Sequence, residues 1–273
     1  MIRRLASAVA AALPEPLFRR IYYWRDTTRM GSLLLTPFAR LLRSDDARIA
    51  RGPGTGLLIS GAGENASYAL GIAEPEVQEM MQAHLAPGGT FYDVGANVGF
   101  FSLIASRLVG EAGTVVAFEP VPGTAEMLEA NVARNALRNV RVQRVAASDE
   151  EGRVEMVVGE VSQTARLADA PAAAPETAHR VRVRSASIDG MIAAGEIPPP
   201  SFVKMDIEGA ETLALAGMRR TLRAHRPIVL CEVHDTLADV TAELEQAGYA
   251  CSAVEGRSLS GIPLNAHVLA LPA

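Results

Sequence analysis

From about residue 90 the chain alternates short apolar runs with stretches in which apolar residues recur every three or four positions. That rhythm of strand and helix predicts a parallel sheet flanked by helices. TFYDV (90–94) reads as a strand, and NVGFFSLIASRLV (97–109) as a helix turning Phe100, Ile104 and Leu108 inward. GTVVAFE (113–119) is a second strand, PGTAEMLEANVARNAL (122–137) a helix with proline near its first turn, and VRVQRVAAS (140–148) a third strand. After Pro198-Pro199-Pro200 comes a fourth, SFVKMDI (201–207), then a helix over 209–226 and a fifth strand, PIVLCEVH (227–234). A helix over 236–248 and the strands YACSAV and HVLALP close the chain.

Between the third and fourth strands the texture changes. GRVEMVVG alternates with period two, as expected of an exposed or antiparallel strand. LADAPAAAPETAH (167–179) is Ala/Pro-rich and reads as a loop, VRVRSASI resumes strand character, and IDGMIAAG is a short helix. No internal repeat is visible. The pattern predicts a doubly wound α/β domain over 68–273, preceded by a helical, arginine-rich extension over 1–67.

Composition refines this picture in three ways. A chain of 273 residues, 49% of them hydrophobic, is long enough for one large α/β domain with an appendage. Its net charge of −5 argues against general affinity for a nucleic-acid backbone. That charge is unevenly spread: residues 1–43 carry eight arginines against Glu15 and Asp26, a net +6 that leaves −11 for the rest. This amphipathic stretch is expected to pack on the acidic body of its own chain or on a second copy, with an anionic membrane surface as the alternative. Cys231 and Cys251 sit in apolar surroundings and read as buried free thiols, which points to a reducing, cytoplasmic setting. No apolar run reaches the roughly 18 residues of a membrane span. The opening MIRRLASAVAAALPEP reads as a helix, with a signal peptide as the alternative. Of the 26 basic residues only Lys204 is a lysine.

The first strand-to-helix turn, Asp93-Val94-Gly95-Ala96-Asn97-Val98-Gly99, lets a ligand approach the backbone near a helix N-terminus. Glu119 ends the next strand, where a carboxylate can accept both hydroxyls of a ribose. These features suit NAD or S-adenosylmethionine (SAM) equally. Asp93 separates them, because a carboxylate at the mouth of the turn repels a pyrophosphate but tolerates the ammonium of SAM. Asn97 further crowds the space a pyrophosphate needs. Helix capping is the structural alternative for Asp93.

In this arrangement the sequence resembles the FkbM family of SAM-dependent methyltransferases. The resemblance rests on DVGANVGFFS (93–102), VVAFEPVP (115–122), AASDEEGRV (146–154), KMDIEGAE (204–211) and CEVH (231–234), with GIAEPEV (71–77) as the lead-in. It covers roughly residues 68–250 and leaves out the arginine-rich start and the Ala/Pro loop. It implies a seven-stranded, Rossmann-like class I methyltransferase fold, with SAM across the carboxyl ends of the strands. Carried over, Asp93, Gly95, Asn97 and Gly99 would surround the methionyl part and Glu119 would hold the ribose. Ser148 and Asp149 would lie near the adenine, or serve as ordinary turn residues. Family members methylate hydroxyl groups, including those of polyketides and sugars, so the expected partner is a small-molecule, sugar or lipid-linked glycan acceptor.

Acceptor chemistry is expected at the carboxyl ends of the central strands. Asp206 ends the fourth, while Glu232 and His234 end the fifth and share one face through their i, i+2 spacing. The cluster has three readings: His234 as general base oriented by Glu232 or Asp206, a divalent cation held by all three, or strand-end residues binding backbone. The first is adopted, with no metal assigned. Glu208 and Glu211 begin a helix, where negative charge is favoured in any case. Glu74 either reaches the SAM ammonium or stabilises the helix start at Pro75. His84, His179, His225 and His267 are placed outside the mouth. Lys204, two residues before Asp206, is expected to pair with Asp206, Glu208 or Glu232. The alternatives in function are a non-catalytic SAM- or nucleotide-binding module and an NAD-dependent oxidoreductase.

Overall fold

The computed structural model describes Leu17 and residues 46–61, 66–159, 166–167, 179–254 and 265–273. In chain order the elements are β1 (Asp46–Arg48), β2 (Leu58–Ser60), α1 (Ala66–Leu70), α2 (Pro75–His84), β3 (Thr90–Val94), α3 (Phe100–Val109), β4 (Thr114–Phe118), α4 (Pro122–Arg134) and β5 (Val140–Gln143). There follow β6 (Ala146–Ala147), β7 (Gly152–Val158), β8 (Arg166–Leu167), β9 (His179–Ala186), α5 (Ile188–Ala193), β10 (Phe202–Met205), α6 (Glu211–Ala216) and α7 (Arg219–His225). The chain closes with β11 (Ile228–His234), α8 (Leu237–Gln246), β12 (Tyr249–Ala253) and β13 (Asn265–Pro272).

Seven strands form one sheet in the order β12-β13-β11-β10-β3-β4-β5, parallel except where β13 runs against β11 and β12. This is the strand arrangement of a class I methyltransferase, a Rossmann-like fold. Its central strands are apolar on both faces because helices cover both. Phe91, Val115, Phe202 and Leu230 point to one side, where α2, α3 and Ile49 and Ile59 of the N-terminal hairpin pack. Tyr92, Val116, Val203 and Cys231, one residue along each strand, point to the other, against α5 to α8. The chain steps outward from β3 through β4 to β5, then returns to place β10 and β11 on the other side of β3. The carboxyl ends of β3 and β10 therefore flank a topological switch point, where open α/β sheets leave a crevice.

The expected core strands and helices are present, with four instructive differences. Residues 46–61, assigned from sequence to a helical extension, form an antiparallel hairpin that belongs to the core. Side chains one turn apart hold it, Asn131 in the last turn of α4 and Asn135 as its C-cap. Asn131 accepts from Ser60 N at 2.7 Å and donates to Ser60 O and Val98 O, while Asn135 accepts from Leu58 N at 2.8 Å and donates to Leu58 O. The rest of the arginine-rich extension lies outside the described residues.

The expected third strand breaks after Gln143. β6 leaves the main sheet to pair with β9, in a four-stranded inserted sheet of order β6-β9-β7-β8. The helix expected over 209–226 is two, parted at Gly217, where an added Cβ would lie 1.8 Å from the Ser148 carbonyl oxygen. Asp189 stabilises the restart by accepting from the amides of Arg220 and Thr221, both at 2.8 Å, which is N-capping from another helix. Most of the Ala/Pro-rich stretch lies outside the described residues, but its ends, Leu167 and His179, belong to strands.

Candidate active site

An open cleft lies over the switch point, lined by Gly95, Ala96 and Asn97 after β3, Glu119 and Pro120 after β4, and Asp206, Ile207 and Glu208 after β10. Tyr68, Glu74, Phe100, Phe101, Met156 and Lys204 complete its wall. Gly95 is at φ +83°, and a Cβ there would lie 1.9 Å from the Asp206 carbonyl oxygen. Only glycine lets the two strand ends come this close.

On the β3–β4 side, backbone amides hold the Glu119 carboxylate. Glu119 accepts from Asn97 N at 3.0 Å and Val121 N at 2.9 Å, and Ala96 N donates to Phe118 O at 2.9 Å. Burial nevertheless pushes the Glu119 carboxyl up to about 7. Asp93 is fully buried and accepts from Ser102 Oγ at 2.6 Å through one oxygen only. Its Oδ1, like Asn97 Oδ1, is a buried acceptor with no hydrogen-bond partner. Unused acceptors beside a glycine turn, with a carboxylate at the next strand end, fit a ligand that brings an ammonium and ribose hydroxyls. Gly95, Asn97 and Glu119 thus line the cleft where SAM would be held, and Asp93, fully buried, stands behind that lining. Gly99, at φ +92°, starts α3 and does not line the cleft. Ser148 and Asp149 also lie off it: Ser148 Oγ donates to Asp149 Oδ1, and Ser148 N to Ala186 O in the inserted sheet.

On the β10–β11 side, charges hold one another. Lys204, almost fully buried, donates to Asp206 Oδ2 at 3.1 Å, and its ammonium lies 4.8 Å from the centre of the Phe101 ring. Burial disfavours this charge, but the carboxylates of Asp206, Asp93 and Glu74 outweigh it and hold the ammonium above the ordinary lysine range. Burial likewise opposes ionisation of Asp206, and Lys204 and His234 overcome it, so its carboxyl titrates below the usual value. The expectation that Lys204 pairs with an acidic neighbour is met by Asp206.

His234 Nδ1 donates to Glu211 Oε1 at 3.0 Å. Its Nε2 lies 3.7 Å from Glu232, 3.7 Å from Glu208 and 3.9 Å from Asp206. Burial lowers the ring's affinity for a proton, but the Glu211 hydrogen bond and the Glu208 and Asp206 charges prevail and raise it to about 9. Burial first, and Asp206 second, push the Glu232 carboxyl up to about 7.

Two corrections follow. The residue that orients His234 is Glu211, read from sequence as a helix-start charge. It is fully buried and also accepts from Thr236 Oγ1 and Gly209 N, both at 2.9 Å. His267, placed outside the mouth by sequence as a surface or packing residue, does not line the cleft but pairs with a residue that does: its Nε2 is 3.4 Å from Glu74 and 3.6 Å from Glu232. The antiparallel register of β11 and β13 sets Glu232 opposite His267. Glu74 stands at φ 43° before α2 and does not cap that helix; its side chain turns to the cleft and His267. Asp206 and Glu74 reach the cleft wall, and Glu232 and His234 stand beside them. Asp206, Glu232 and His234, and also Glu74, Glu232 and His267, bring donor atoms within 4.8 Å of one another. Imidazole–carboxylate pairs account for both sets, and no cation is assigned to either.

Residues 93–251 match the family described as the methyltransferase FkbM domain. The chain is 29% identical over 210 residues to a 31-O-demethyl-FK506 methyltransferase of Streptomyces tacrolimicus, spanning 66% of this chain and 80% of that one. It is 28% identical over 176 residues to a hexuronic acid methyltransferase of Haloferax volcanii, spanning 64% and 69%. A solved FkbM methyltransferase structure from Methylobacillus flagellatus aligns with a TM-score of 0.48 at 18% identity, spanning 89% of this chain but 60% of that one.

Proposed function

The chain belongs to the FkbM methyltransferase family of SAM-dependent enzymes, and on that premise we propose that it O-methylates a hydroxyl of a small molecule, sugar or lipid-linked glycan. The observation that carries this reading is Asp206. It lies on the cleft wall beside the glycine turn and within 3.9 Å of His234, joining a cofactor-shaped half to a proton-handling half. The two matched relatives, one acting on a demethylated FK506 and one on a hexuronic acid, support an oxygen acceptor.

SAM, when bound, supplies an activated methyl group on a sulfonium. The protein's part is then to align the acceptor, exclude water and take a proton. The stacked rings of Tyr68 and Phe100, with centroids 4.9 Å apart, wall the cleft on its apolar side. Proton transfer falls to the β10–β11 cluster. Asp206 is kept ionised by Lys204, and Glu232, at about 7, titrates where a general base works best. His234, at about 9, is charged in the free protein, so its role is to hold these carboxylates in place until that charge is displaced.

We place the reaction in the cytoplasm. Support comes from the two free cysteines, and among the described residues no helix is long and apolar enough to cross a membrane. The basic first residues are proposed to pack against the acidic body or a second copy, on the strength of charge complementarity.

The test pairs titration with transfer. SAM is expected to bind and NAD not, and radiolabelled methyl is expected to pass to one of a panel of hydroxylated acceptors. Asp206→Asn should lower turnover about 100-fold or more while moving the SAM Kd far less. Tight binding of NAD with none of SAM overturns the reading, as does full turnover by the Asp206 variant.

A further inference from the structure

His234 has more carboxylate around it than one N–H can serve. Its Nδ1 faces Glu211 from α6, and its Nε2 faces Asp206 and Glu208 from the turn after β10 and Glu232 from its own strand, all within 3.9 Å. A neutral imidazole would turn a lone pair toward acceptor oxygens at one of its nitrogens. The geometry therefore specifies the doubly protonated, cationic ring. The other charges nearby are Lys204 on Asp206, His267 of β13 on the far side of Glu232, and Glu74 beyond it.

Some of these carboxylates serve two spaces. Asp206 and Glu208 line the cleft together with Gly95, Asn97 and Glu119, and Glu74 does so as well. A positive charge in the cleft meets the same oxygens that stabilise the ring's proton. In half-buried surroundings like charges are felt over several ångströms, so the two cations compete.

We propose that Asp206 and Glu208 are shared between the proton on His234 and the positive charge of the methyl donor, so that loading the donor drives a proton off His234 Nε2 and leaves a neutral, base-competent ring. This rests on the cofactor reading above. One proton passes to solvent on loading, while Nδ1–H stays on Glu211. The freed Nε2 lone pair can then take the acceptor's hydroxyl proton. The demethylated donor is a neutral thioether, so once the charge on sulfur is gone the ring keeps the proton it has taken. Charge on the ligand thus sets when His234 is a base.

Calorimetric titration of the full chain at pH 8 with SAM and with S-adenosylhomocysteine, in buffers of different ionisation enthalpy, counts the protons released. SAM is expected to release a substantial fraction of a proton more than S-adenosylhomocysteine, and His234→Gln to abolish the difference. The SAM-to-S-adenosylhomocysteine affinity ratio should fall by about fivefold between pH 9 and pH 6.5, the equivalent of moving the ring by one unit. Nitrogen-15 histidine spectra of the unmutated protein give the same answer without a variant: SAM, but not S-adenosylhomocysteine, should move the His234 signal about halfway to the neutral form at pH 8. Equal proton release by the two ligands, or a difference that survives His234→Gln, overturns the inference while leaving the methyltransferase reading intact. A chain that binds neither ligand overturns both.

Discussion

The two halves of the cleft solve the problem of buried charge by different means. On the β3–β4 side Glu119 is held by two backbone amides, with no counterion beside it. On the β10–β11 side Lys204, Asp206, His234, Glu211, Glu232 and His267 hold one another through side chains. Backbone dipoles are fixed by the fold and do not titrate, which suits recognition of a ligand of constant shape. Side-chain pairs exchange protons as their surroundings change, which suits a step that must move one. The halves meet where Gly95 touches the Asp206 carbonyl, so the rigid part positions the titratable one.

The most damaging way to test this division is at that contact. Gly95→Ala combines a left-handed φ with a Cβ 1.9 Å from a backbone oxygen, and should weaken SAM binding at least about 100-fold, as read by calorimetry. Unchanged binding would show that the halves are not coupled through the turn. Next in size is Lys204→Met, which strands the buried Asp93 and half-buried Asp206 without their cation. A loss of about 3–5 kcal/mol is expected in denaturant unfolding, as for other broken buried pairs. A small loss would mean that the side-chain half is not held by charge.

Glu211→Gln keeps the shape of the His234 partner but removes its charge. Turnover is expected to fall about tenfold, with the His234 titration moving down from about 9 toward its ordinary value. A mere packing role for Glu211 would leave the pH profile in place. The gentlest probe is stability against pH. His234 is raised from 6.5 to about 9 on folding, so its stabilisation is complete below pH 6.5 and is lost as pH rises through 9. Glu232, raised from 4.5 to about 7, adds a loss of the same sign between those values. The Tm should therefore decline from neutral pH toward 9, and His234→Gln should flatten the upper part of that decline.

The contrast also explains what could be read in advance. The glycine turn, Glu119 and the Lys204–Asp206 pair are local in the chain, and their geometry follows from strand period and turn chemistry. His267 reaches Glu232 only because β13 runs antiparallel to β11, a pairing that no short-range pattern announces. Glu211 looked like a helix-start charge because that role satisfies it equally well in one dimension. The N-terminal hairpin carries no such signal for a related reason: its strands are three residues long, and Asn131 on α4 and Asn135 at its C-cap supply much of what holds them.

Taken by itself, the order of apolar runs and turns determined the doubly wound sheet, the cofactor turn and the strand ends that carry Asp206, Glu232 and His234. These follow from rules acting over a few residues and from the narrow choice of ways to bury a parallel sheet. Tertiary structure alone decided which carboxylate holds which imidazole, and therefore which groups carry protons at neutral pH. Charge acts through space, and Glu74, Glu211, His234 and His267, far apart in the chain, become neighbours only when the sheet closes its order.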